Sequence, residues 1–140
     1  MHRALLLALL ASLPLFVPAC DVGGTDCTTQ AVASVSITLQ DAEGNPVSAS
    51  EITYTVDGGA EQSAECMDDD CTTAVAGWEV AGDFVITAIY DEPHPTDECC
   101  WYYDSATAEV SVAEGECHVD GQTLTLTLDP DALACADECG

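Results

Sequence analysis

Carboxylates without cations set the terms for this chain. It carries 26 aspartates and glutamates against one lysine or arginine, Arg3. Every acid beyond Arg3 must therefore do without a fixed cationic partner, and carboxylate–lysine or carboxylate–arginine pairs cannot hold a fold. A formal net charge of −25 at pH 7 adds self-repulsion to that. The same field repels phosphate backbones and anionic lipid head groups, which excludes nucleic-acid binding. It attracts cations, with calcium and sodium as candidates, and basic protein surfaces. Solubility in a salty habitat, where charge is screened over about 8 Å or less, is the other source of such a composition. Stability must come from apolar burial and covalent cross-links, and nine cysteines are present for the latter.

Arg3 itself sits in a leader. Met1-His2-Arg3 is followed by a nearly unbroken apolar run from Ala4 to Phe16. That run falls short of the roughly 20 apolar residues a membrane-spanning helix needs, and it has the length of a signal-peptide core behind a charged start. Val17-Pro18-Ala19-Cys20 closes it. This stretch resembles the lipobox of bacterial lipoproteins. The resemblance implies cleavage before Cys20, a diacylglyceryl thioether on its sulfur, and an acyl chain such as palmitate on its new amino group. Several acyl chains anchor stably where one is marginal, each buried methylene adding about 0.8 kcal/mol. The location implied is extracytoplasmic, on the inner or the outer bacterial membrane. The expected organisation is a leader over residues 1–19, a lipidated tether over 20–31, a domain over 32–130 and a cysteine-containing tail over 131–140.

With Cys20 assigned to lipid, an even set remains: Cys27, Cys66, Cys71, Cys99, Cys100, Cys117, Cys135 and Cys139. Outside the cytoplasm these are expected to form four bridges. Four bridges admit on the order of a hundred connectivities. Neighbours in an extended chain point to opposite faces, so Cys99 and Cys100 are expected to join different partners. The expected pairs are Cys66 with Cys71, Cys117 with one of the adjacent cysteines, Cys135 with Cys139, and Cys27 with the remaining one. A zinc site built on Cys117-His118 and Cys99-Cys100 is the competing reading, but C-x2–4-C spacing is absent.

The body of the chain alternates. Ala33, Val35, Ile37 and Leu39 face one way and Ser34, Ser36, Thr38 and Gln40 the other, as in a half-buried strand. Asp41 to Pro46 is strong turn chemistry. Ile52, Tyr54 and Val56 alternate with threonines, and Glu61 to Cys66 reads as a short third strand. Thr73 to Ala76 reads as another. Phe84 to Tyr90 is apolar on both faces, which predicts an internal strand covered on two sides. Pro93-His94-Pro95 predicts a loop through Cys99-Cys100, followed by a strand from Tyr103 or Ser105 to Val112. Leu124, Leu126 and Leu128 mark the last strand, and Pro130 ends it. No helix of three turns can be placed after the leader. About seven short strands separated by turns predict an all-β sandwich.

Ser36 to Ser50, with its Asp41-Ala42-Glu43-Gly44-Asn45-Pro46 turn, is similar to the opening strand and turn of carboxypeptidase regulatory-like domains. These belong to the transthyretin-like (prealbumin-like) sandwiches. Gly82-Asp83-Phe84-Val85-Ile86-Thr87-Ala88 resembles a later strand of the same family. The resemblance covers about residues 33–130. It implies a seven-stranded Greek-key β-sandwich acting as an accessory or binding module. The zinc-peptidase domain that often accompanies such modules is absent from this chain, as is its H-x-x-E ligand pair.

Catalytic signals are sparse. No G-x-S-x-G elbow or phosphate-cradling glycine loop occurs, and only His94 and His118 follow the leader. Asp68, Asp69 and Asp70 are the candidate calcium ligands, although the EF-hand pattern is not met; the alternative is a solvated loop tip closed by Cys66 and Cys71. Trp101, Tyr102 and Tyr103 are a candidate aromatic platform for a glycan or a protein, the alternative being that one tyrosine enters the core. The function expected is non-catalytic binding or structure in the cell envelope. A calcium-dependent adhesion or ligand-binding lipoprotein is the alternative, and an extracytoplasmic hydrolase the third reading. A concave pocket joining His94 or His118 to two acids would favour catalysis; a flat exposed aromatic face would favour recognition.

Overall fold

The computed structural model describes residues 27–136. Cys20, the leader, most of the tether and Cys139 lie outside them. The described chain is all β. Its strands are β1 Ala33–Gln40, β2 Glu51–Val56, β3 Gln62–Ser63, β4 Glu65–Cys66, β5 Thr73–Trp78, β6 Gly82–Pro93, β7 Cys100–Val112, β8 Gln122–Thr127 and β9 Leu133–Cys135. They form a four-stranded sheet in the order β4-β5-β1-β8 and a five-stranded sheet in the order β3-β2-β6-β7-β9.

Alternation explains how the two layers meet. Val35, Ile37 and Leu39 of β1 point inward with Ala74 and Ala76 of β5 and Leu126 and Leu128 at the end of β8. Facing them are Ile52 and Tyr54 of β2, Phe84, Ile86 and Ala88 of β6 and Val112 of β7. Val35, Leu39, Phe84, Ile86 and Leu128 are wholly buried, each large side chain contributing about 1.5–3 kcal/mol of transfer free energy. The Tyr54 and Phe84 rings stack at 5.7 Å. β1 pairs antiparallel with β5 and parallel with β8. A parallel pair cannot be closed by a tight turn, and the chain lays down four strands of the five-stranded sheet, β2, β3, β6 and β7, before β8 returns to β1.

Three expectations change. The single strand over Glu61–Cys66 is two: β3 pairs with β2 in one sheet, and β4 pairs with β5 in the other. Ala64 is the crossing point and donates its N–H to the Ile52 carbonyl at 2.8 Å. Ser34, expected on the polar face, is fully buried. Its Oγ accepts the Val80 N–H at 2.9 Å, and the β1–β5 ladder skips the rung between Ser34 and Gly77. Gly77 has φ +73° there, and a methyl group on it would lie 3.4 Å from both the Phe84 ring and Ser34 Oγ. Finally, β6 is covered on one side. Phe84, Ile86 and Ala88 are buried, whereas Val85, Thr87 and Ile89 are only half-buried, because the described residues make two layers and no third.

The tail is structural as well. Leu133–Cys135 adds β9 to the free edge of β7, opposite Cys100 to Tyr102. Bridges join Cys66 to Cys71, Cys27 to Cys117 and Cys100 to Cys135. Cys117 thus takes Cys27 rather than either adjacent cysteine, and Cys135 takes Cys100 rather than Cys139. The reason for the second is register: Cys100 and Cys135 are direct partners across the β7–β9 ladder. Cys99 is disulfide-bonded too.

Candidate functional site

The sandwich has two unlike ends. β1 and β8 both start at one end, where Cys27, Glu79 and the 114–121 segment gather. Gly121 lies against the Ala33 carbonyl there, and Glu79 N–H donates to the Val32 carbonyl at 3.0 Å. At the other end lie the Asp41–Asn45 turn, the Asp68–Asp70 loop, the β6–β7 hairpin and Asp129–Asp131.

At the first end Glu79 is the hub. Its Oε1 accepts the Val32 N–H at 2.6 Å and lies 2.7 Å from His118 Nδ1. Its Oε2 accepts the Val119 N–H at 3.4 Å. Donation from Val32 is the foremost cause holding its carboxyl below the usual range, with His118 adding to it. Glu79 takes a left-handed backbone, φ 55°, a conformation non-glycine residues adopt at some cost. The contacts of its side chain hold it there. His118 Nε2 lies 3.0 Å from Thr28 Oγ1, next to the Cys27–Cys117 bridge. Glu79–His118 is the one ion pair among the described residues.

Hydroxyl, imidazole and carboxylate thus stand in the order of a hydrolytic triad, beside a cavity of about 200 Å³ lined by Glu79, Glu114, Glu116 and His118. The surroundings oppose that chemistry. An acyl-transfer site needs donors aimed at a developing oxyanion, but three carboxylates line this cavity. The Gly115 N–H beside it already donates to the His118 carbonyl at 2.9 Å. Glu79 meanwhile ties together three chain segments. The arrangement is that of a clamp.

At the other end Asp68 folds its carboxylate back on its own loop. It accepts the Thr72 and Thr73 N–H groups at 2.8 and 2.9 Å, and the hydroxyls of both threonines. The Thr73 hydroxyl and then the Thr72 N–H lower its pKa. Asp69 and Asp70 stay exposed. Among the described residues no group of three or more histidines, cysteines, aspartates or glutamates converges as metal ligands. His94 is likewise turned inward: its Nδ1 accepts the Asp97 N–H at 3.1 Å, and its ring meets Tyr102 at 5.4 Å. Tyr90 has its hydroxyl pKa raised, by burial first and then by Glu92 and Asp131.

The aromatic triplet divides. Trp101, Tyr102 and Tyr103 begin β7, and successive side chains alternate. Tyr102 shares the inner face with Ala106, Ala108 and Val110, while Trp101 and Tyr103 point outward. The sequence offered either a shared platform or one tyrosine turned inward, and Tyr102 is the one on the inner face; Glu79 and Thr28 carried no signal. The positive φ at Glu79 leaves no trace in residue type, and Thr28 lies ninety positions from its partner.

The chain matches no protein-family model, no curated protein and no solved structure.

Proposed function

We propose that this is a lipid-anchored, extracytoplasmic β-sandwich of the carboxypeptidase regulatory-like, transthyretin-like type, with a non-catalytic binding or structural role in the cell envelope. The observation that carries the reading is oxidation: all seven cysteines among the described residues are disulfide-bonded. Such a set persists where thiols are not kept reduced. It accords with a leader ending just before Cys20, whose removal takes the only arginine with it.

The anchor orients the domain. Asp21 to Asp26 separate Cys20 from Cys27 and, fully extended, reach about 20–25 Å. Cys27 is bonded to Cys117, so the Glu79–His118 end faces the membrane. The opposite end, with Asp41, Glu43, Asp104, Asp129 and Asp131 around a cavity of about 470 Å³, faces away. That arrangement keeps many of the acids clear of an anionic bilayer surface. Mass analysis of the protein purified from membranes tests the reading. The expected product begins at Cys20 and carries diacylglyceryl and N-acyl mass; an intact Met1 with no lipid mass refutes it.

A further inference from the structure

The outer face of the five-stranded sheet sets apolar, threonine and acidic residues side by side, and none of the described residues covers it. Register defines it rung by rung. Pro93, Trp101 and Ala134 form one rung; Asp91 and Tyr103 the next; then Glu51, Ile89 and Ser105. Thr53, Thr87 and Thr107 follow, with the two hydroxyls of Thr87 and Thr107 3.0 Å apart, and then Thr55, Val85 and Glu109. Tyr103 is 42% exposed on this face. β6 supplies Val85 and Ile89 to this face as though a third layer were to cover it, and none of the described residues does.

We propose that this face docks a basic polypeptide, an arginine- and lysine-bearing protein surface. Charge complementarity selects that occupant. Glu51 and Asp91 flank Tyr103 and Ile89, Glu109 borders Val85, and the described chain has no lysine or arginine to pair with any of them. Guanidinium groups fit both components, pairing with carboxylates and lying over aromatic faces. A second copy would bring the same carboxylates into opposition on a two-fold axis, which like-charge repulsion disfavours. A neutral glycan would leave Glu51 and Asp91 unpaired under it. The proposal rests on the reading of the protein as a binding module and is independent of the lipid: its failure leaves the mass test of Cys20 standing, and the converse also holds.

The test uses the delipidated protein and a labelled synthetic peptide of alternating arginine and threonine, followed by fluorescence anisotropy. Tyr103→Ala is expected to weaken binding about threefold, the size of an exposed cation–π contact. Glu51→Gln with Asp91→Asn is expected to weaken it about fivefold. Asp69→Asn with Asp70→Asn removes the same charge from another loop and is expected to change little. Circular dichroism melts confirm that each variant is folded. Equal losses from both acid pairs would reduce the effect to net charge and overturn the proposal. So would unchanged binding by Tyr103→Ala, a wild-type dimer that Tyr103→Ala dissociates, or Tyr103-dependent binding of a neutral oligosaccharide with none of the peptide.

Discussion

The two ends of the sandwich hold themselves together by different means. At the Glu79–His118 end, contacts join residues far apart in sequence: Cys27 to Cys117 across 90 positions, Glu79 to His118 across 39 and Glu79 to Val32 across 47. At the opposite end the acidic turns are satisfied locally, although Cys100–Cys135 spans 35 positions and the Ser50 hydroxyl donates to the Asp91 carbonyl across 41. Asp41 accepts hydrogen bonds from Glu43 and Asn45, Asp68 from Thr72 and Thr73, and Cys66 closes on Cys71 across 5 positions. A chain rich in acid and poor in cations can satisfy carboxylates within a turn, because backbone N–H groups are always at hand. Closing the sandwich at its entry is harder, and there the protein uses the longest disulfide span among the described residues and one of its few histidines.

Cross-link removal breaks this comparison most strongly. Replacing Cys27 and Cys117 by alanine is expected to cost about 4 kcal/mol in denaturant unfolding, against about 2 kcal/mol for Cys66 and Cys71, since a longer closed loop restricts the unfolded chain more. Equal losses would show that the two ends do not differ as described. Comparable in size is Phe84→Ala, at about 3–5 kcal/mol. It lies between the ends, and its unfolding transition should stay single if they share one core.

Acid titration sharpens the comparison further. Glu79, Asp68 and Asp41 all have lowered carboxyl pKa values, from 4.5 for Glu79 and 3.8 for the aspartates. A depressed folded-state pKa contributes stability above the unfolded value, and that contribution disappears as pH falls through the folded value. The thermal midpoint should therefore drop below about pH 4. Glu79→Gln should flatten that drop and lower the midpoint at neutral pH; Asp68→Asn should do the same to a smaller extent, its loop being closed by Cys66–Cys71 as well. A midpoint that ignores Glu79→Gln would remove the clamp. The smallest expected effect is none: Thr28→Val should not alter hydrolysis of an activated acetyl ester, and wild-type turnover that this variant abolishes would restore the catalytic reading of Thr28, His118 and Glu79.

Much of the strand pattern was legible in the residues. Val35, Ile37 and Leu39 faced inward as their alternation required, and Leu126 and Leu128 did likewise. Cys66–Cys71 also followed from a short acidic loop. The Glu61–Cys66 segment misled because a two-residue strand has no period to read, and each half found a different sheet edge. Phe84 to Tyr90 misled in another way. Apolar residues on both faces report what a strand would bury, and nothing in the strand reports whether a second layer arrives.

The clamp was the least legible part. Glu79 looked like one acid among many, and only its backbone conformation and three converging donors set it apart. The aromatic triplet was visible as a string but not as a surface, since strand alternation sends Tyr102 away from Trp101 and Tyr103.

By itself the chain determined that it is β throughout the described residues, that salt bridges to lysine or arginine cannot support it, and that cross-links must. Those properties follow from residue type and from a period of two, both local. Tertiary structure alone decided that Cys27 meets Cys117, that Cys100 meets Cys135, and that the outer face of the five-stranded sheet is left open among the described residues. Each of these depends on which distant strands become neighbours, a choice made by the packing of both layers at once.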